Sequence, residues 1–199
     1  MDIPIDDLTA TFDDYADVVC ASLEGCGEDA IVVGHSLGGV VIPLVAARRP
    51  VRHLVYLCGY APEIGRSLAG QLAADPGMVN PVIYPGLQHD ASARITWVDF
   101  ALARAVMYGD CDEATAEAAV ERLRPQSTAG YAVPCSLAEF PSVSCTYILC
   151  EEDRCLGVEW ARRIARERLG ADLIELPGSH SPFLSQPRRL ADVLLELLE

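Results

Sequence analysis

The 199-residue sequence has no apolar run long enough (about 18 residues) to cross a bilayer as a helix, no C-x-x-C pair, no internal repeat and no low-complexity segment. The first absence excludes a helical membrane span. The second leaves a zinc ribbon or a thioredoxin-like redox motif unsupported. Basic residues are few, 15 against 29 acidic, for a formal charge of −14. Such a surface repels phosphate backbones and anionic lipids, so neither nucleic acid nor a membrane is an expected partner. The opening Met1-Asp2-Ile3-Pro4-Ile5-Asp6-Asp7 is acidic where an export signal would be basic and then apolar. With no such signal, the eight cysteines are expected to be reduced thiols in a cytoplasmic protein. Several, such as Cys58 in Leu54-Val55-Tyr56-Leu57-Cys58, sit in apolar runs where cysteine acts as a small hydrophobe.

What remains is an ordinary globular composition, 51% hydrophobic and 22% charged, in a length that suits one domain. Apolar positions spaced by three or four (Phe12, Tyr15, Val18, Val19, Leu23) predict a helix over 12–23, capped by Thr9 or Thr11. Ala30-Ile31-Val32-Val33 reads as a buried parallel strand. A helix over 38–49 follows, with Pro43 inside it as a source of a kink. Strands are expected at 53–58, 145–150 and 171–176, and helices at 158–169 and 187–198. This alternation implies an α/β fold, a parallel sheet of about four strands with helices on both faces. Residues 1–60 and 142–199 form this core. The 61–141 span holds seven of the thirteen prolines, with helical stretches at 98–108 and 113–123. It is too long for a plain loop and is expected to be a helical lid over a site.

Gly34-His35-Ser36-Leu37-Gly38 has the form G-x-S-x-G between a strand and a helix, the context that this motif needs. A serine there sits on a strained turn, and side chains two positions away on either side would obstruct it. That makes Ser36 the expected nucleophile rather than part of a merely glycine-rich turn. The following N–H of Leu37 is placed to hold an oxyanion. A serine hydroxyl needs a base. His35 lies in the turn and should point away, His53 starts a strand, and His89 falls in the insertion. His180, after the last strand, lies at the edge where sites in open α/β sheets form. The base in turn needs a carboxylate. Asp153 is chosen from Glu151-Glu152-Asp153 for its short reach, with Glu151 and Glu152 as alternatives. No cofactor and no metal is required by this set.

These residues resemble the α/β-hydrolase superfamily, and within it the plant methylesterases and hydroxynitrile lyases with their bacterial relatives. The resemblance rests on VVGHSLGG (32–39), VYLCGYAP (55–62), RLRPQ (122–126), YILCEEDR (147–154) and GSHSPFLSQP (178–187). It implies a small-molecule ester substrate and an acyl-enzyme mechanism through Ser36, His180 and Asp153. Hydroxynitrile lyases of this group carry a lysine after the histidine, and Ser181 stands there instead, which favours ester hydrolysis over lyase chemistry. The family's opening strands, with a His-Gly turn that supplies a second oxyanion donor, would precede Met1. Their absence from this sequence predicts an apolar edge on the 30–33 strand, where a second copy could pair. It also opens the contrasting expectation of an impaired hydrolase serving as a binding or oligomerising module.

Overall fold

In the computed structural model, which describes residues 1–198, four parallel strands form the main sheet. They are β1 (Ile31–His35), β2 (His53–Leu57), β6 (Cys145–Cys150) and β7 (Asp172–Leu176), in the order β1-β2-β6-β7. Between β2 and β6 lies the insertion with three short strands, β3 (Leu87–His89), β4 (Arg94–Trp97) and β5 (Gln126–Ser127), and with α3 (Leu68–Ala74), α4 (Phe100–Met107) and α5 (Glu113–Val120). The remaining helices are α1 (Phe12–Ser22), α2 (Ile42–Arg48), α6 (Val158–Glu167), α7 (Pro182–Ser185) and α8 (Pro187–Glu196).

Side chains alternate between the two faces of a strand, and here the alternation divides the core. Leu54 and Tyr56 of β2, with Tyr147 and Leu149 of β6, face one side and pack with α1, α2 and α6. Val55 and Leu57, with Ile148 and Cys150, face the other and meet Leu190, Val193 and Leu194 of α8. Thr11 caps α1 in a capping box with Asp14, closing two free amides at once. Gly170, at φ +56, turns the chain from α6 into β7.

Two expectations need correction. Pro43 stands in the first turn of α2, where the missing N–H costs nothing. The expected kinked helix over 38–49 is therefore a 3₁₀ turn, Ser36–Val40, followed by a short α-helix. The insertion is also not purely helical. Strands β3, β4 and β5 form an antiparallel sheet that is too short to leave a periodic signal. Among the described residues no helix is long and apolar enough to cross a membrane, and all eight cysteines are free.

One face is covered unevenly. Val33 of β1 pairs in register with Val55 of β2, yet it is 40% exposed while Ile148 of β6 is fully buried. Helix α8 thus shields β2 and β6 and leaves Val33 of the edge strand β1 open, while Ile31 on the same face is half-buried against the cluster. Ile148→Ala should cost about 2–5 kcal/mol, whereas Val33→Ala should cost about 0.5 kcal/mol or less; urea unfolding of the two variants distinguishes them.

Candidate active site

Ser36 follows the last residue of β1 and opens the 3₁₀ turn. Its φ is +50°, in the left-handed region, at a cost of roughly 1–2 kcal/mol for a residue with a Cβ. The turn is held from outside by the Tyr60 amide, which donates to the Ser36 carbonyl at 2.9 Å. The amides of Ser36 and Leu37 lie in the first turn, where no preceding carbonyl of the same turn reaches them. The expectation about flanking glycines is half corrected. A Cβ on Gly34 would stand 2.6 Å from the Gly38 carbonyl oxygen, but a Cβ on Gly38 would meet nothing. The second tight position is Gly39, pressed against the Tyr60 carbonyl. The turn is therefore narrow where it meets β2 rather than on the far side of the serine.

His180 and Asp153 meet at the carboxyl ends of β7 and β6. His180 Nδ1 lies 2.8 Å from Asp153 Oδ2, and the two residues are 1% and 8% exposed. The other carboxylate oxygen accepts from the amides of Cys155 at 2.7 Å and Leu156 at 3.0 Å. Burial drives the Asp153 carboxyl up, but the neighbouring His180 and these hydrogen bonds outweigh it, and the group ends below its ordinary range. It is thus a fixed anion at neutral pH. Glu151 and Glu152 are exposed; neither takes the place of Asp153 against His180.

His35 does not point away from this pair. Its ring lies 4.7 Å from the His180 ring, and its Nε2–H donates to the His180 carbonyl at 2.9 Å. Burial, then the adjacent His180, lowers its pKa to about 3. A neutral His35 thus braces the backbone of the histidine loop. The two-residue period of β1 says only which face a side chain takes, and not that another loop closes over it. His53 is held by Ser144 and Thr146 hydroxyls at the opposite end of the strands, and His89 is exposed on β3.

Ser36, Leu37 and His180 share the wall of a cavity of about 340 Å³. Tyr60, Leu72, Val79, Ile83, Trp97 and Leu123 form much of the rest, so most of the lining comes from the insertion. Among the described residues, Cys58, Asp153 and His180 form a cluster whose ligating atoms lie within 4.8 Å of one another. Cys58 itself stands at φ +43°. Its contact with Cys150 and then its burial push the thiol well above its ordinary range, and the other two groups are engaged with each other.

Two outcomes follow. Gly39→Ala should destabilise by about 1–3 kcal/mol through overpacking, while Gly38→Ala should stay within about 0.5 kcal/mol, as read by thermal unfolding. His35 takes up a proton in the unfolded chain below its ordinary value of 6.5 but resists doing so when folded down to about 3. Stability should therefore fall as pH drops below 6.5, by up to about 1.4 kcal/mol per pH unit. His35→Gln should flatten that slope in urea titrations.

Similarity to known proteins bears on the same region. The chain is 29% identical over 172 residues to an alpha/beta hydrolase of Aspergillus novofumigatus, covering 81% of this chain and 66% of the relative. It is 28% identical over 197 residues to a pyrethroid hydrolase of Sphingobium wenxiniae, covering 91% and 66%. It therefore spans just under two thirds of the length of both. Among solved structures, a pyrethroid hydrolase from Sphingobium faniae superposes with a TM-score of 0.78 at 24% identity, over 95% of this chain and 78% of the other. Polyneuridine aldehyde esterase superposes with a TM-score of 0.77 at 22% identity, over 96% and 81%. At that identity the likeness is one of fold. The model of the alpha/beta hydrolase family matches residues 2–193, and the chain belongs to that family.

Proposed function

We propose that this chain is a carboxylic ester hydrolase acting through Ser36, His180 and Asp153. The observation that carries the reading is the buried 2.8 Å contact between His180 and Asp153, with His180 and Ser36 on the wall of one apolar cavity. In this mechanism Ser36 Oγ attacks the ester carbonyl while His180 Nε2 takes its proton. The Asp153 carboxylate stabilises the imidazolium, and the Leu37 N–H receives the negative oxygen. His180 then returns the proton to the departing alkoxide, leaving an acyl-Ser36. Water, deprotonated by the same histidine, attacks this acyl group and releases the acid and the free serine.

The 61–141 insertion acts in this reading as the lid that excludes water. Its apolar lining fits an acyl or alcohol group of small to medium size, since a cavity of about 340 Å³ is near the lower bound for ligand pockets. The pyrethroid hydrolase relative agrees with hydrolytic chemistry. Ser181 follows His180 with a fully buried hydroxyl that has no hydrogen-bond partner among the described residues. It offers no cation for a cyanide leaving group, so hydroxynitrile lyase chemistry is the weaker reading. The free thiols suit a reducing cytoplasmic setting.

Wild type should hydrolyse p-nitrophenyl acetate and butyrate, Ser36→Ala should not, and Asp153→Asn should lower kcat by about 10⁴. Equal rates for wild type and Ser36→Ala would overturn the proposal. So would hydrolysis that survives His180→Ala undiminished.

A further inference from the structure

The loop 177–181 carries His180, and the mechanism above uses only that one side chain. The rest of the loop is tightly held. Gly178 turns it at φ +95°, and Ser179, His180 and Ser181 are all buried. From the sheet side, the Glu152 amide donates to the Gly178 carbonyl at 3.0 Å. From the junction of α7 and α8, the Gln186 side-chain amide donates to the Pro177 carbonyl. The third hold comes from the insertion. Asp110, in the Gly109-Asp110-Cys111 turn between α4 and α5, accepts the Ser179 hydroxyl hydrogen on Oδ1. Its Oδ2 occupies the space that a side chain at 178 would need. The glycine there is thus required twice, by its φ and by this carboxylate.

We propose that Asp110 is a positioning residue for the reaction: through Ser179 it fixes the loop that presents His180, so the insertion sets the geometry of the general base. This rests on the ester hydrolase reading. A second contact runs the same way, because Leu184 of α7 packs on Ala103, Tyr108, Ala116 and Val120 of the insertion. Burial pushes the Asp110 carboxyl up, but hydrogen bonding, first from Ser179 and then from the Ser185 hydroxyl, outweighs it and keeps the group below its ordinary range. Asp110 therefore stays an acceptor across neutral pH. Among the described residues it forms no ion pair, so its charge is spent on the loop rather than on an arginine. His180 is consequently braced by His35 from β1, by Asp153 from β6 and by Asp110 from the insertion.

The test compares Asp110→Ala, Asp110→Asn, Ser179→Ala and the Asp110→Ala/Ser179→Ala double variant with wild type, using p-nitrophenyl butyrate and, independently, the downfield proton resonance of His180 Nδ1–H. That resonance is identified by its loss in His180→Ala. Asp110→Ala should lower kcat by about tenfold to a hundredfold, the effect of a misplaced group near the chemistry, with KM nearly unchanged. The His180 resonance should broaden or shift in the same variant. Asp110→Asn keeps a carbonyl acceptor and should recover most of the rate. Ser179→Ala removes the same bond by deleting one atom, so it decides the matter even if Asp110→Ala folds poorly. It should match Asp110→Ala, and the double variant should be no slower than either.

A lowered melting temperature with unchanged kcat and an unchanged resonance would reduce Asp110 to a structural contact and overturn the proposal. Additive losses in the double variant would also overturn it, because the two residues would then act separately. Should wild type be no faster than Ser36→Ala on the ester, the hydrolase reading falls by itself. The His180 resonance of the variants still decides whether Asp110 holds the loop.

Discussion

A buried carboxylate survives only if every lone pair facing the protein finds a proton and its charge finds a partner. Asp153 meets that condition by dividing its oxygens between two tasks. Oδ1 is consumed by the amides of its own loop, Cys155 and Leu156, and Oδ2 by His180. Because the first two bonds are local, the orientation of the carboxylate is set within its own loop. The histidine loop then has a single docking geometry, and the cavity forms around the two of them. Breaking either half would leave a charge stranded in the interior, so the pair constrains where β6 and β7 end.

The sheet supplies the rigidity that this arrangement needs. Strands β2 and β6 are buried on both faces, and their alternating side chains feed two separate clusters. Their carboxyl ends therefore cannot slide in register without turning every apolar side chain to the wrong face. Three chain segments rise from the carboxyl edge of the sheet: the Ser36 turn after β1, the Asp153 loop after β6 and the His180 loop after β7. The backbone bonds among them run Tyr60 to Ser36, Glu151 to Leu176 and Glu152 to Gly178. Each ties one strand end to the next, so the relative placement of the three residues is a property of the sheet and not of any one loop.

Non-glycine residues in the left-handed region occur at two of these strand ends, Ser36 after β1 and Cys58 after β2. Strain of this kind persists when surrounding packing fixes it. For Ser36 the packing is visible: Gly34 and Gly39 give the turn no room to relax, one against the Gly38 carbonyl and the other against Tyr60. The insertion works by a different rule. Its elements are short and its prolines frequent, and it gains order by leaning on the core through Leu184, Cys155 and the Asp110–Ser179 contact.

The strands, most helices, the turn at Ser36 and the loop that carries His180 were legible in the sequence because each leaves a local mark. Apolar runs of five or six mark doubly covered strands, 3.6-residue periodicity marks α1, and G-x-S-x-G between strand and helix marks the turn. Ser36, Asp153 and His180 follow, in chain order, the carboxyl ends of β1, β6 and β7. What the sequence could not decide were contacts between segments far apart in it. The choice of Asp153 over Glu151 and Glu152, the bracing of His180 by His35, the crowding at Gly39 rather than Gly38, and the reach of Asp110 to Ser179 all belong to this group. They depend on how loops from different strands close on one another. Periodicity and propensity describe a residue's own element, and only packing in three dimensions says what that element meets.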